Sequence, residues 1–529
     1  MKLKILVAVI VGALVVGGGA FALTRLLGPA EDAAISYVPD DAIGYMNVFI
    51  RPSNNQKRAL DSLLQKFPGI DSTDEAIEKV VELIDQALEQ EGMNYEDDVE
   101  PWLGDQVALF FVGGGTAELP NFAFLVESKN DGALEDFVES VAAESEVEIT
   151  EKEYEGETYR MQADEAEEPV AVGVVDGFLV VGSEDAFKAA IDANASGDTL
   201  EEDEDFLDAT EPLSDDWMGL FYLDTQGFVS ELSRAGQFGP NERAAFDAFG
   251  LDEQGSQAAI LYVSPDAVTL EATGGFSPTG QFAELTESVS QPGIVPELPA
   301  DTWGAYGVPQ FGDLVNGLFD TFQNVPGFDR EQVDAMFYGQ TGLRLQEDVL
   351  SWMEDAGVWV QGTSIQSIAG GLVIESGDPA KTARVLDKLE ELVASQGVRP
   401  QPESAGGLEG FSVQIPGVPA PVYVFGGERL VIGYGDAAVD AASGEGETLE
   451  DSEAFRAAQE AVGEDFNIAF YLDVDGAQEF GEAVASFSGA PMESYEQDVK
   501  PYIDVLTHIV TASKMEGDRL VQKFLIGVE

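Results

Sequence analysis

The sequence predicts an α+β protein with two tandem homologous modules of antiparallel sheet and packed helices, after one N-terminal transmembrane helix. The first observation is a repeat, because Asp98-Val99-Glu100-Pro101-Trp102 returns about 250 residues later as Asp348-Val349-Leu350-Ser351-Trp352. The second is hydrophobic periodicity that changes between helix and strand spacing within each half of the chain. The third is an uncharged apolar run at the N-terminus.

Further landmarks recur in the same order and at nearly the same spacing, as expected of two diverged copies of one module. The pairs are Val126-Glu127-Ser128 with Ile374-Glu375-Ser376, Val180-Val181-Gly182 with Val431-Ile432-Gly433, and Phe221-Tyr222-Leu223-Asp224 with Phe470-Tyr471-Leu472-Asp473. These landmarks and the composition between them predict six segments. They are a cytoplasmic stub over 1–4, a transmembrane anchor or signal peptide over 5–27, a tether over 28–36, module one over 37–273, a linker over 274–296 and module two over 297–529.

The N-terminal run over 5–23 has no charge and approaches the roughly 20 residues that span a bilayer. Lys2 and Lys4 precede it, which predicts a cytoplasmic N-terminus and an extracytoplasmic bulk in a single-pass protein of the cell membrane. Ala20-Phe21-Ala22 leaves a cleaved signal peptide as the alternative. Arg25 followed by Leu26-Leu27 favours the uncleaved anchor.

The periodicity within a module predicts helices first and then strands. Leu60, Leu63, Leu64 and Phe67 have amphipathic helix spacing, and a capping box at Ser72 with Glu75 predicts a second helix. A stripe over 311–322 is the module-two counterpart, and Asp378-Pro379, a cap residue followed by proline, predicts the start of a later helix. Segments 107–112 and 122–126 read as strands, and Asp176-Gly177 is a two-residue hairpin signal. Because hairpins are frequent, we expect antiparallel sheets and not a doubly wound parallel sheet.

The charge of the chain excludes some partners. Lys plus Arg is 26 and Asp plus Glu is 99, a net charge of −73, which repels nucleic acid and anionic lipid. Such self-repulsion is screened in concentrated salt, so the surface is typical of a salt-adapted bacterium, a halophile or haloalkaliphile. An ordinary acidic envelope protein is the alternative. The acidic loop over 198–205 is a place for loosely bound cations.

Few catalytic side chains are available. The chain has no cysteine and one histidine, His508, which excludes thiolate sites, multi-histidine zinc sites and Cys-His dyads. No phosphate-binding loop or nucleophile elbow is present, so no cofactor, metal ligand or catalytic residue is predicted. Asp224 and Asp473 follow an apolar strand in both copies and are best explained by helix capping or turn formation. Trp102 and Trp352 are either core residues, which aromatic burial favours, or the lining of a ligand groove.

At these residues the sequence resembles a bacterial envelope family known as domain of unknown function 3352. The resemblance rests on the N-terminal anchor, the Val38-Pro39-Asp40-Asp41 opening and the segment from Asp98-Val99 to Trp102-Leu103-Gly104-Asp105. It covers most of the chain and is most specific over 37–105. Module two departs from it, since Glu354 stands where module one has Gly104. The resemblance implies a bacterial, membrane-associated protein, and it transfers no functional residues.

These observations predict a membrane-anchored extracytoplasmic protein with a binding, scaffolding or envelope-maintenance role and no catalysis. The partners expected are the membrane through the N-terminal helix, cations, or an unknown envelope component. Two alternatives stay open. One is a carrier of an apolar or lipid ligand, and the other is a carboxylate-dependent hydrolase with two carboxylates in one cleft.

Overall fold

The computed structural model describes residues 31–70, 81, 85, 88, 93–114, 120–143, 149–162, 169–236, 255–274, 293–322, 328–415, 417–418, 420–444, 446–489, 491–517 and 519–529. The chain divides into two compact units, and their described elements lie within 31–274 for unit one and 293–529 for unit two. The predicted anchor over 5–27 and most of the helix predicted after Ser72 lie outside the described residues. Within the described residues, no helix has the length and hydropathy to cross a bilayer.

Unit one contains one antiparallel sheet. Its strands are β1 Gly44–Phe49, β2 Leu103–Val112, β3 Asn121–Ser128, β4 Ile149–Tyr154, β5 Glu157–Gln162, β6 Ala171–Val175, β7 Phe178–Gly182, β8 Gly219–Leu223, β9 Gln257–Ser264 and β10 Ala267–Gly274. They pair in the order β4-β5-β6-β7-β3-β2-β1-β8-β9-β10, with every pair antiparallel. The central strand β1 therefore lies between β2 and β8.

Unit two repeats this strand order. Its strands are β11 Thr302–Val308, β12 Met353–Gln361, β13 Ala369–Ser376, β14 Gln401–Ala405, β15 Leu408–Val413, β16 Val422–Gly426, β17 Arg429–Tyr434, β18 Asn467–Asp473, β19 Leu506–Glu516 and β20 Arg519–Val528. They pair antiparallel in the order β14-β15-β16-β17-β13-β12-β11-β18-β19-β20. The predicted antiparallel α+β class is confirmed.

Helices connect the strands. Those described are α1 Asn54–Leu64, α2 Asp131–Ala143, α3 Glu184–Ser196, α4 Glu204–Thr210, α5 Thr225–Arg234, α6 Phe311–Phe322, α7 Arg330–Thr341, α8 Pro379–Ser395, α9 Ala437–Ser443, α10 Glu453–Val462, α11 Val474–Ser488 and α12 Lys500–Ile503. Three short π-helical turns, Tyr95–Val99, Leu345–Val349 and Tyr495–Val499, precede β2, β12 and α12. Pro379 occupies the first turn of α8 and Asp378 accepts hydrogen bonds from its first amides, as the sequence predicts.

The predicted hairpin at Asp176-Gly177 joins β6 to β7. Val175 pairs with Phe178 across the turn, and Asp176 and Gly177 both have positive φ, 40° and 88°. Two successive positive φ values are the geometry that such a two-residue turn requires, and glycine adopts it without strain. The sequence signal at this turn is therefore explained by its backbone conformation.

The predicted tether and linker differ from the structure where their residues are described. Ala34–Tyr37 forms a 3-10 helix, with Ala34 and Ile35 buried in the core of unit one. Ile294 and Val295 are likewise buried in unit two, where Val295–Glu297 forms a 3-10 helix. Apolar side chains in these short segments are covered by the sheet, and burial stabilises an ordered conformation that composition alone does not indicate.

Apolar cores lie on both faces of the unit-one sheet. On one face, helices α3 and α4 pack over strands β1, β2, β3 and β8, with Tyr45, Phe110 and Tyr222 among the largest buried side chains. On the other, α2 packs against Trp102 and its neighbours in β2, β3 and β7. Unit two has an equivalent core where α8 packs near Trp352.

Candidate functional site

Trp102 and Trp352, the residues predicted to line a groove or a core, are buried in these apolar clusters. The Trp102 ring lies 5.1 Å from the ring of Phe137 on α2, measured between centroids. Trp352 lies in one cluster with Val385 and Leu386 of α8. Neither tryptophan lines a pocket described below.

A pocket of about 860 Å³ opens in unit one beside the N-terminal segment. Its apolar lining comes from Phe206 of α4, Leu213, Trp217, and Leu220 and Ile260 on the sheet. Its acidic lining consists of Glu31, Asp32, Glu201, Asp208, Glu211 and Asp215. The pocket therefore combines an apolar wall with an acidic rim.

Asp32 is the perturbed group of this pocket. The Tyr45 hydroxyl donates to both carboxylate oxygens at 2.8 and 2.9 Å, and the backbone N–H of Ile35 donates to one of them at 3.2 Å. Burial raises the pKa of Asp32 to about 6, although these donors oppose the shift. A carboxyl group with this pKa exchanges its proton close to neutral pH.

Beside Asp32, a series of hydrogen-bonded polar side chains crosses β1, β2 and β3 on one face of the sheet. Asn47 on β1 donates to Gln106 Oε1 on β2 at 3.0 Å, and Gln106 Nε2 lies 3.3 Å from Glu127 Oε2 on β3. Burial raises the pKa of Glu127. The backbone N–H of Asp105 also donates to Glu127 at 3.1 Å. This chain of hydrogen bonds holds the 3-10 segment, because Gln106 Oε1 also accepts from the amide of Ala34.

Unit two keeps the carboxylate of this network but lacks its asparagine. Glu375 is the counterpart of Glu127 and burial raises its pKa as well, whereas Gly307 stands where unit one has Asn47. Asn47 pairs with Ala108 in unit one, and the corresponding central pair of unit two is Gly307 with Gly357. A Cβ on either glycine would lie 2.7 Å from a methyl group of Val295 or Ile294. The asparagine that contacts Asp32 is therefore a feature of unit one. Asp32 lies in the predicted tether, so no local pattern in the sequence marks it as a candidate.

A smaller pocket of about 520 Å³ lies in unit two between α6, α7 and the Leu345–Val349 turn. Arg330 and Arg344 line it together with Glu331, Asp334 and Glu347. Arg330 forms an ion pair with Asp320, and Arg344 lies 3.4 Å from Asp334. Carboxylates thus neutralise both guanidinium groups, and the pocket has no net positive charge.

One face of the unit-two sheet carries mostly apolar side chains at paired positions. Val358 on β12, Tyr306 on β11, Phe470 on β18, Thr511 on β19 and Phe524 on β20 are successive cross-strand neighbours. We call these five residues the apolar row. Tyr306, Val358 and Phe524 are exposed, and Phe470 and Thr511 are half-buried. Four of the five side chains are apolar and three are exposed, and such a surface is typical of an interaction site.

The remaining candidate residues from the sequence have structural roles or lie within regular elements. Asp224 and Asp473 cap α5 and α11, where their carboxylates accept from the amides of Gly227 and Gly476. His508 lies on β19, its pKa lowered by burial, with Nδ1 3.0 Å from the Thr507 hydroxyl. In the acidic loop, Asp203 caps α4. Across the described ranges, no group of three or more His, Cys, Asp or Glu residues is arranged to hold a metal ion.

Comparison with known proteins finds one family. The family model described as "Protein of unknown function (DUF3352)" matches residues 5–524. No curated protein matches. Crystal form III of TP0453 is 11% identical, covers 51% of this chain and 89% of its own, and has a TM-score of 0.23. Crystal form IV is 14% identical, with 47% and 81% covered and a TM-score of 0.22. Likeness at this level carries no argument about function.

Proposed function

This chain belongs to the DUF3352 family, and we propose that it is a single-pass, N-terminally anchored envelope protein with a binding or scaffolding role and no catalysis. The uncharged apolar run within the predicted anchor over 5–27, with Lys2 and Lys4 before it, supports a membrane location with an extracytoplasmic bulk. The shared strand order of the two units supports tandem homologous modules. The scarcity of histidine and the absence of cysteine support a non-catalytic role.

The observation that carries the binding role is the exposed apolar surface of unit two. Besides the apolar row, exposed apolar side chains include Met336 and Tyr338 of α7 and Phe487 of α11. None of the side chains of α6 and α7 whose burial is described is fully buried, although α6 is strongly amphipathic. In a chain of net charge −73, so much exposed apolar surface supports contact with a partner.

Cell fractionation with a topology readout tests the location. The intact chain is expected in the membrane fraction, with its bulk degraded by protease added outside the inner membrane. A variant lacking residues 1–27 is the control and should leave that fraction. Finding the intact chain in the soluble cytosolic fraction contradicts the proposal.

Matched substitutions test the binding role. Replacing Tyr306 or Phe524 with serine should reduce crosslinking of the chain to its envelope neighbours in the native cell. Phe221→Ser is the control, because Phe221 is an exposed aromatic residue on the unit-one sheet. Equal crosslinking by all three variants argues against the apolar row as the binding surface.

A second candidate function is a carrier of an apolar or lipid ligand. The incompletely buried stripe of α6 and the apolar row favour it, since an apolar ligand gains about 25 cal/mol for each Å² that it removes from water. Organic extraction of the purified chain, followed by mass spectrometry, tests this candidate. A stoichiometric lipid that is lost in Tyr306→Ser would replace the scaffold role with a carrier role.

A third candidate is a carboxylate-dependent hydrolase. The acid-lined pocket of unit one favours it, because Asp32 has a pKa of about 6 and other carboxylates line the same pocket. Turnover of a panel of aryl glycosides and esters, compared with Asp32→Asn, tests it. Activity that disappears in this variant and persists in Asp40→Asn would establish an enzyme.

A further inference from the structure

A third copy of the tryptophan segment lies near the end of the sequence. Tyr95-Glu96-Asp97-Asp98-Val99-Glu100-Pro101-Trp102 is matched by Tyr495-Glu496-Gln497-Asp498-Val499-Lys500-Pro501-Tyr502. Both copies form a π-helical turn, in which the amide after the turn donates to the carbonyl of the first tyrosine. Leu345–Val349 forms the same turn in the tryptophan segment of unit two.

The three turns occupy equivalent places in the sheets. Each lies between a central strand and a two-stranded hairpin, which is β2–β3, β12–β13 or β19–β20. In each hairpin the register shifts at the start of the first strand, after Leu103, Met353 and Leu506 respectively. The shared sequence, turn and register shift indicate one structural motif in three settings.

In the first two settings an amphipathic helix covers the motif. Leu134, Phe137 and Val138 of α2 are buried in the same cluster as Val99 and Trp102. Val385 and Leu386 of α8 are buried with Trp352. Both helices present apolar side chains at i, i+3 and i+4 spacing, as a single helix face does.

In the third setting the equivalent side chains are uncovered. Val499 is 46% exposed and Tyr502 is 47% exposed, whereas Val99 is 3% and Trp102 is 1% exposed. Along the hairpin, Ile509 and Ile526 are half-buried where Val107 and Val126 are buried. Phe524 extends this strip and is exposed. We call these five residues, Val499, Tyr502, Ile509, Ile526 and Phe524, the open site.

We infer that the open site binds an amphipathic α-helix of a partner protein. The inference rests on the binding role proposed above and names the class of partner. Two copies of the same motif in this chain show what covers it, since α2 and α8 bury the aromatic residue in both. A helix laid on an apolar strip is also a recurrent mode of peptide recognition.

The internal helices also indicate the charge of the partner. Arg384 of α8 lies 3.8 Å from Asp348 of its turn, and Lys381 donates to Ser351 at 2.8 Å. Lys129, just before α2, lies 3.9 Å from Glu100. Asp498 is the counterpart of Asp348 and is exposed. A basic residue in the first two turns of the partner helix should therefore pair with Asp498, and basic flanks also suit the net charge of −73.

A peptide titration tests the inference with the full chain in mild detergent. The probes are fluorescein-labelled peptides of residues 379–395 and 131–143, the two helices that cover the motif internally. The 379–395 peptide should bind saturably, and Tyr502→Ser and Val499→Asp should each weaken binding by at least about tenfold. Phe221→Ser, outside the open site, should bind as the unchanged chain does. Asp498→Lys should weaken binding of the 379–395 peptide more than binding of the acidic 131–143 peptide.

Several results overturn the inference. The inference is wrong if neither peptide binds saturably. It is also wrong if the Tyr502→Ser and Phe221→Ser variants bind the 379–395 peptide equally well. If sedimentation shows a dimer that the Tyr502→Ser substitution dissociates, the open site binds a second copy of this chain. The chain without residues 1–27 is also tested for flotation with phosphatidylcholine vesicles. If it floats and the Tyr502→Ser substitution abolishes flotation, the open site binds lipid. The fractionation experiment on location is independent, so these results leave the proposed anchoring intact.

Discussion

The indole Nε1 of Trp102 donates a 2.8 Å hydrogen bond to the backbone carbonyl of Asp98, four residues earlier. Trp352 makes the same bond to Asp348 at 2.9 Å. Each aspartate carboxylate in turn accepts from the amide of the residue before its π-helical turn, Asn94 or Arg344, at 2.8 Å. The buried tryptophan thus holds the π-helical turn against the core, and the aspartate carboxylate links the two ends of the turn.

Replacing Trp102 with phenylalanine should lower the free energy of unfolding by about 2–4 kcal/mol. The change leaves the partly buried carbonyl of Asp98 without its donor, which costs about 1–3 kcal/mol, and it leaves unfilled volume beside Phe137. Urea denaturation measures the effect. Tyr502→Phe is the matched control at the exposed copy of the position and should stay within about 0.5 kcal/mol. Similar losses in both variants would contradict the difference in burial.

The Asp32 carboxyl should make unit one less stable as the pH rises. Its folded pKa of about 6 lies above the ordinary value of 3.8, so the native state binds a proton more tightly than the unfolded state. This contribution is complete below 3.8 and is lost as the pH rises through about 6. The loss is at most about 3 kcal/mol, because each tenfold difference in proton affinity between the two states corresponds to about 1.36 kcal/mol.

Chemical denaturation at several pH values from about 4 to 8 measures this dependence. Asp32→Asn should flatten the decline, whereas Asp40→Asn, an exposed carboxyl nearby, should preserve it. Tyr45→Phe should steepen it, because the ionised carboxylate loses the hydroxyl that donates to both of its oxygens. An unchanged slope in Asp32→Asn would show that other groups produce the pH dependence.

Salt should stabilise the chain strongly. The net charge of −73 creates repulsion that acts over about 8 Å at physiological ionic strength and over about 3 Å at 1 M salt. We therefore expect the thermal midpoint to rise steeply as sodium chloride increases from low to molar concentration. Magnesium chloride at matched ionic strength is the comparison, because an additional rise would indicate specific divalent sites. A flat response to both salts would contradict a salt-adapted surface.

Removing the helix cap at Asp473 should cost about 1 kcal/mol. The Asp473 carboxylate accepts from the amide of Gly476 at 3.2 Å, and Asp224 makes the same contact with Gly227 at 3.0 Å in unit one. Alanine at either aspartate leaves an amide of the first helical turn without its acceptor. Thermal unfolding measures the loss, and Glu479→Ala, exposed on the same helix, is the control. Equal midpoints for Asp473→Ala and Glu479→Ala would argue against capping as the role of the aspartate.

Local patterns in the sequence predict local structure well in this chain. Asp176-Gly177 makes its hairpin, Asp378-Pro379 begins its helix, and the stripe over 311–322 is a helix. In each case the deciding interactions lie within a few residues, so periodicity, caps and turn chemistry suffice. The third copy of the tryptophan segment is also visible in the sequence, as Tyr495-Glu496 followed by Asp498-Val499 and Pro501. It does not follow the spacing of about 250 residues that relates the other landmarks, so that spacing alone does not reveal it.

Residues whose roles depend on distant neighbours were not predictable. Asp32 acquires its raised pKa from burial in the lining of the pocket, where its partner Tyr45 is thirteen residues away in sequence. Gln106, an ordinary strand residue in the sequence, links the 3-10 segment to Glu127 across three elements. Desolvation and hydrogen bonding between strands produce these properties, and both require the assembled sheet.

The sequence by itself determined the charge, the absence of thiol chemistry, the recurring landmarks and the antiparallel α+β class, because composition and short-range periodicity carry that information. Only the tertiary structure decided which aromatic residues are covered. Trp102 and Tyr502 occupy the same place in octapeptides that are identical at five positions, yet one is buried beneath α2 and the other is exposed. Burial depends on whether another element packs on that face of the hairpin, and long-range packing decides this.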